Sequence, residues 1–143
     1  MRIVSNSSVI IGLSAINKFH LLQKLYRNII IPEAVYKEIV IDGKGCPGEV
    51  ELDKAIKEKW INIIKVKNQL SVETLLQNFG RGEAEAIILA REQKADFVLI
   101  DESLAREKAF LLGLKVKGII GILLFAKANG INMYCVKIFK PFG

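Results

Sequence analysis

Short runs of β-branched residues alternate with longer stretches whose apolar positions recur at helical spacing, and this alternation constrains the fold more than any other feature. Ile3-Val4-Ser5 reads as a first strand, and Val9 to Leu25 then keeps the period of a helix. Asn28-Ile29-Ile30-Ile31 reads as a second strand, stopped by Pro32, whose fixed φ suits the first turn of a helix predicted to about Ile41. Asp42-Gly43-Lys44-Gly45-Cys46-Pro47-Gly48 is a loop by composition, and a polar helix follows to about Lys59. Ile61 to Val66 is a third strand, and Ser71 to Phe79 a helix with Ser71 as its cap. Gly80-Arg81-Gly82 opens a helix from Glu83 to about Lys94. Phe97-Val98-Leu99-Ile100 is a continuous apolar run, the pattern of a strand buried on both faces. A helix from Ser103 to Leu112, a short strand at Leu114-Lys115-Val116 and an apolar helix from Ile119 to Asn129 complete the series. Strand then helix, repeated, defines an α/β fold with a mainly parallel sheet.

The chain has 143 residues, a length for one domain, so residues 1–143 are expected to share a single core. Cys46 and Cys135 stand far apart and in no ligand spacing, which argues against a disulfide framework and against zinc. A single histidine, His20, leaves little for imidazole-based metal sites or hydrolytic triads and reads as a surface or packing residue. The longest apolar stretch, Ile119 to Ala126, falls far below the roughly 20 residues of a bilayer span. Polar Ser5, Asn6, Ser7 and Ser8 stand where a signal peptide would be apolar, so a cytoplasmic location is expected. The net charge of +6 favours a phosphate-bearing partner, although a basic solvated surface explains a modest excess as well.

In open parallel sheets ligands bind beyond the carboxyl ends of the strands. Asp101 falls there, after the fourth strand, and reads equally as a catalytic acid or as the cap of the following helix. Asn6 takes the corresponding place after the first strand, where an asparagine also reads as a cap or turn residue. On a helix starting at Pro32, with about 100° per residue, Glu38 falls between Ala34 and Val35 on the apolar face. A carboxylate so placed must be paired with a base or bound to a cation. The same projection puts Glu83 beside Ala86, Ile87 and Ala90, and Glu85 near Glu92 on the other side, so Glu83 is predicted to face inward and Glu85 to be solvated. Acids that crowd together repel one another unless a cation compensates, and hard ions such as Mg²⁺ or Mn²⁺ take oxygen ligands. An acidic pocket in a net-basic chain is what a metal-dependent nuclease requires.

Taken together these segments resemble the PIN-domain family, in its small stand-alone prokaryotic VapC-like toxin branch. Ile3-Val4-Ser5-Asn6-Ser7-Ser8 is similar to the family's first strand, Ile30-Ile31-Pro32-Glu33-Ala34-Val35-Tyr36-Lys37-Glu38-Ile39 to its second signature, and Gly80-Arg81-Gly82-Glu83-Ala84-Glu85-Ala86-Ile87 to its most distinctive one. Leu99-Ile100-Asp101 supplies the last acid. The resemblance implies a three-layer α/β/α sandwich with about five parallel strands, and a Mg²⁺- or Mn²⁺-dependent ribonuclease site. Glu38, Glu83 and Asp101 would hold the metal, with Asn6 completing the shell, Ser8 orienting a ligand or water, and Arg81 and Arg106 binding RNA. It also implies a homodimer and a small antitoxin partner. Asn6 departs from the pattern, because the family carries Asp there; a neutral oxygen ligand weakens a hard-metal site. Glu102 is a possible substitute, although the start of the next helix points it toward solvent. The C-terminal segment departs as well, with Lys137, Phe139, Lys140 and Phe142 read as an RNA contact, a core tuck or a subunit contact.

Overall fold

In the computed structural model, which describes residues 1–132, the strands are β1 (Ile3–Ser5), β2 (Ile29–Ile31), β3 (Ile61–Ile63), β4 (Phe97–Leu99) and β5 (Val116–Lys117). The helices are α1 (Ser7–Ala15), α2 (His20–Tyr26), α3 (Glu33–Tyr36), α4 (Glu49–Lys57), α5 (Gln69–Leu75), α6 (Arg81–Glu92), α7 (Ser103–Leu111) and α8 (Ile119–Ala128). All strand pairs are parallel, in the order β3-β2-β1-β4-β5. β1 is central: Val4 lies opposite Ile30 of β2, and Ile3, Val4 and Ser5 lie opposite Phe97, Val98 and Leu99 of β4.

Because successive strand residues face opposite ways, the sheet feeds two cores. Ile3, Ile29, Ile31 and Leu99 pack with Val9, Ile10, Leu13, Leu22, Leu52 and Ile122 of α1, α2, α4 and α8. Val4, Val98 and Ile100 pack with Val72, Ala84, Ile87, Ala105 and Ala109 of α5, α6 and α7. The result is the expected α/β/α sandwich with a five-stranded parallel sheet.

Several boundaries differ from the sequence reading. The helix predicted from Val9 to Leu25 is two, because Asn17 adopts φ 57° and Lys18 N–H turns back to the Leu13 carbonyl at 2.8 Å. Asparagine enters this left-handed region at small cost. α5 begins two residues before Ser71; its cap is Asn68, whose Oδ1 accepts the Ser71 N–H at 3.0 Å. The third strand ends at Ile63 rather than Val66, and β5 covers Val116–Lys117 rather than Leu114–Val116. α3 widens after Tyr36 into a π-helical turn over Lys37–Ile41, where Asp42 N–H reaches back to the Lys37 carbonyl at 2.8 Å. The readings made for Cys135, Lys137, Phe139, Lys140 and Phe142 lie outside the described residues. Among the described residues no helix is long and apolar enough to cross a membrane.

Candidate active site

β2 leaves β1 on one side and β4 joins it on the other, so the order reverses between β1 and β4, and a crevice opens beyond their carboxyl ends. Asn6 and Asp101 emerge on its two walls. Asn6 is fully buried and its N–H donates to the Leu99 carbonyl at 3.0 Å, which fixes the end of β1 against β4. Its side chain caps α1: Oδ1 accepts the Val9 N–H at 3.3 Å and the Ser8 hydroxyl at 2.9 Å. Ser8 Oγ in turn accepts the Asp101 N–H at 3.4 Å, so Asn6, Ser8 and Asp101 form one hydrogen-bonded chain. An amide oxygen has two lone pairs, and both are used here. Nδ2 of Asn6 is buried and has no partner.

Asp101 is solvent-exposed, and it does not cap α7. Glu102 does that, its carboxylate accepting Leu104 N–H at 3.1 Å and Ala105 N–H at 2.8 Å. Asp101 Oδ1 instead accepts the Ile119 N–H at the start of α8, at 3.0 Å. The preceding Gly118 makes the approach possible, since a Cβ there would stand 2.9 Å from Asp101 Oδ1 and 3.2 Å from Arg106 Nη1. Arg106 thus lies beside Asp101, with the two side chains on the same glycine.

The other acids come from α3 and α6. Glu38, expected on the apolar face, stands in the widened turn after α3, where the side chain as a whole is exposed but its carboxylate end is partly covered. Its carboxylate rests on Gly82, whose missing side chain leaves the room: a Cβ would overlap Oε1 and stand 2.7 Å from the carboxyl carbon. Burial raises the pKa of Glu38; the neighbouring Ser7 hydroxyl opposes this, and the charges of Glu83, Asp42 and Glu85 add to it. Glu83 is half-buried and accepts the Gly80 N–H at 3.4 Å. Burial also raises its pKa, against the Gly80 bond and with the help of Glu102. Among the described residues Glu38, Glu83 and Asp101 form no ion pair, so the salt bridge that was the alternative for Glu38 is not made.

Glu85 is a correction. It is only 7% exposed, more buried than Glu83, and accepts the Ala34 N–H through Oε1 at 3.2 Å. The signal was the unbroken apolar run from Ala86 to Ala90, which marks a helix buried all round rather than on one face. Arg81, read as an RNA contact, pairs with Glu73 at 3.4 Å and Glu85 at 3.7 Å while keeping about half of its side chain exposed.

The charge of Glu83 bears on Glu38, while Asp101 follows β4 with the Arg106 guanidinium beside it, and among the described residues none of the three is in an ion pair. That donor set suits a hard divalent cation. Among the described residues there is no group of three His, Cys, Asp or Glu side chains placed to hold a metal ion, so the structure does not bring Glu38, Glu83 and Asp101 together as a ready ligand cluster. Mg²⁺ does not need one, since it usually keeps several waters and takes one or two carboxylates together with phosphate. A cleft of about 240 Å³ at α2 and α4, lined by Ser14, His20, Lys54 and Trp60 among others, contains none of these acids.

The parallel sheet with its reversal between β1 and β4 defines a doubly wound α/β domain. A family model described as a PIN domain matches residues 2–140, and the chain belongs to the PIN-domain family. Its structure is similar to that of a PilT N-terminus domain protein from the hyperthermophilic archaeon Sulfolobus solfataricus P2, with a TM-score of 0.66, 19% identity, and coverage of 88% of this chain and 93% of that one. A comparison with curated proteins found no match. PIN domains generally use divalent metal ions, and their implied nuclease-type fold is the one seen here.

Proposed function

We propose that the chain is a Mg²⁺- or Mn²⁺-dependent ribonuclease of the VapC toxin type, weakened at its metal site by Asn6. The observation that supports this reading is three carboxylates, Glu38, Glu83 and Asp101, that form no ion pair among the described residues, with Asp101 at the crevice between β1 and β4. Glu38 and Glu83 would hold the cation from the α3–α6 side and Asp101 from the β4 side. When bound, such an ion activates water and stabilises the leaving oxygen of a phosphodiester. Ser8 holds Asn6 and the Asp101 backbone in register, and Arg106 lies where a phosphate beside Asp101 would meet a guanidinium. The net charge of +6 draws RNA to the surface around the acids. On this reading the partners are RNA, a small antitoxin protein and a second copy of the chain, met in the cytoplasm.

A second reading is favoured by Asn6 itself. Its oxygen is saturated and its free group is an N–H donor, which binds an acceptor and not a metal. A catalytically silent RNA- or protein-binding module would carry such a residue. RNA cleavage with Mn²⁺ separates the two, comparing the chain as it stands with Asn6→Asp and with Asn6→Asp plus Asp101→Asn. The carboxylate replaces the N–H by an oxygen at the same position, so activity is expected to rise at least tenfold in Asn6→Asp and to vanish in the double variant. Three inert, folded proteins would leave the silent module.

A further inference from the structure

We infer that Glu85 is a positioning residue: its buried carboxylate fastens the start of α3 to α6 and thereby sets where Glu38 stands against Gly82 and beside Glu83. The inference rests on the reading of Glu38 and Glu83 as metal-holding acids. A buried acid demands partners, and Glu85 has two. Oε1 accepts the Ala34 N–H at 3.2 Å, and Oε2 lies 3.7 Å from Arg81 Nη1. Ala34 is the second residue of α3, so its N–H is among those that a helix start leaves unsatisfied. Pro32, in the capping place, makes no side-chain bond to any of them. A residue from another helix therefore does what the local sequence cannot.

Glu38 lies four residues beyond Ala34, and Gly82 three residues before Glu85. The two helices thus touch at two points about one turn apart and run antiparallel between them: Glu85 on Ala34, and Glu38 on Gly82. Loosening the first contact frees the second, because the turn that carries Glu38 is the continuation of α3. Both Glu85 oxygens are already engaged, which separates its role from that of a ligand.

The test compares wild type, Glu85→Gln and Glu85→Ala, by calorimetric titration of Mn²⁺ into the protein and by the NOE between the Glu38 Hγ and Gly82 Hα protons. Glutamine keeps the acceptor for Ala34 N–H and discards the charge. Glu85→Ala is expected to weaken Mn²⁺ at least about 10-fold, the range of residues that orient metal ligands, and to lose the NOE. Glu85→Gln is expected to stay within about 3-fold and to keep it. Should Glu85→Ala not fold, Glu85→Met fills the volume without an acceptor and takes its place. Equal loss of Mn²⁺ in the glutamine and alanine variants would make Glu85 a ligand and overturn the inference, as would an alanine variant that binds like wild type. If wild type binds no Mn²⁺, the metal reading fails, and the NOE alone decides the positioning role.

Discussion

Gly82 and Glu38 form the tightest packing point in the site, and at this point a single methyl group decides geometry without deciding stability. Alanine is the better helix former by roughly 1 kcal/mol. The atoms it would meet belong to the end of a flexible glutamate, which swings aside easily. Gly82→Ala is therefore expected to leave Tm within a few degrees while weakening Mn²⁺ about tenfold, as thermal unfolding and metal titration would show. The same crowding gives a pH signature. Glu38 and Glu83 titrate above the ordinary value of 4.5, so the native state holds their protons to higher pH than the unfolded chain does. Their contribution is full below that value and is lost as pH rises through the raised native values. Without divalent ions, Glu38→Gln is expected to raise Tm by a few degrees at pH 7 and to leave it unchanged near pH 3, well below the ordinary value, where native and unfolded states are both protonated. A gain of equal size at both pH values would point to packing rather than charge.

At the scale of elements, capping decides which acids stay near the crevice. Glu102 terminates α7 at its own start, whereas Asp101 reaches across to the first amide of α8. Asparagine accepts that hydrogen bond nearly as well as aspartate, and alanine does not. Asp101→Ala is expected to cost about 1 kcal/mol in urea unfolding and Asp101→Asn less than half of that. Loss of cleavage in Asp101→Asn would then report chemistry and not a frayed α8. The elements themselves were largely legible. Every strand segment was found, because runs such as Phe97 to Ile100 have no helical reading of that length between breakers. The break at Asn17 and the π-helical turn at Lys37–Ile41 were not legible. Both conserve the apolar period and depend on which backbone groups find partners across the fold.

For the whole molecule, the strand order makes the site, since only the placement of β4 next to β1 brings Asp101 and Asn6 to one crevice. The edge of the sheet beyond β5 tells a second story. Leu104, Phe110 and Leu111 of α7 and Ile120 and Leu124 of α8 remain 62% to 73% exposed, apolar side chains on the two faces next to β5 that a second copy could cover. They support the proposed pairing of two copies around this edge. Sedimentation at tens of micromolar is expected to give a dimer, and Leu111→Glu with Leu124→Glu a monomer of unchanged Tm. A wild-type monomer would remove the dimer from the proposal.

By itself the sequence determined the α/β class, the strand positions and the family, because hydrophobic period and turn residues are local signals that survive without knowledge of contacts. It also placed Asn6 and Asp101 at strand ends, Glu83 at a helix start and Glu38 on the inner face of a helix, from which they could converge. Only the tertiary structure decided how they are held. Glu85 looked solvated until α3 supplied its partner, Asp101 was open between catalytic acid and cap of its own helix until its carboxylate met α8, and Asn6, open between ligand and cap, caps α1 through Val9 and Ser8. Each of these depends on a donor from elsewhere in the structure or on the exact turn of the backbone, and helical projection of a single segment contains neither.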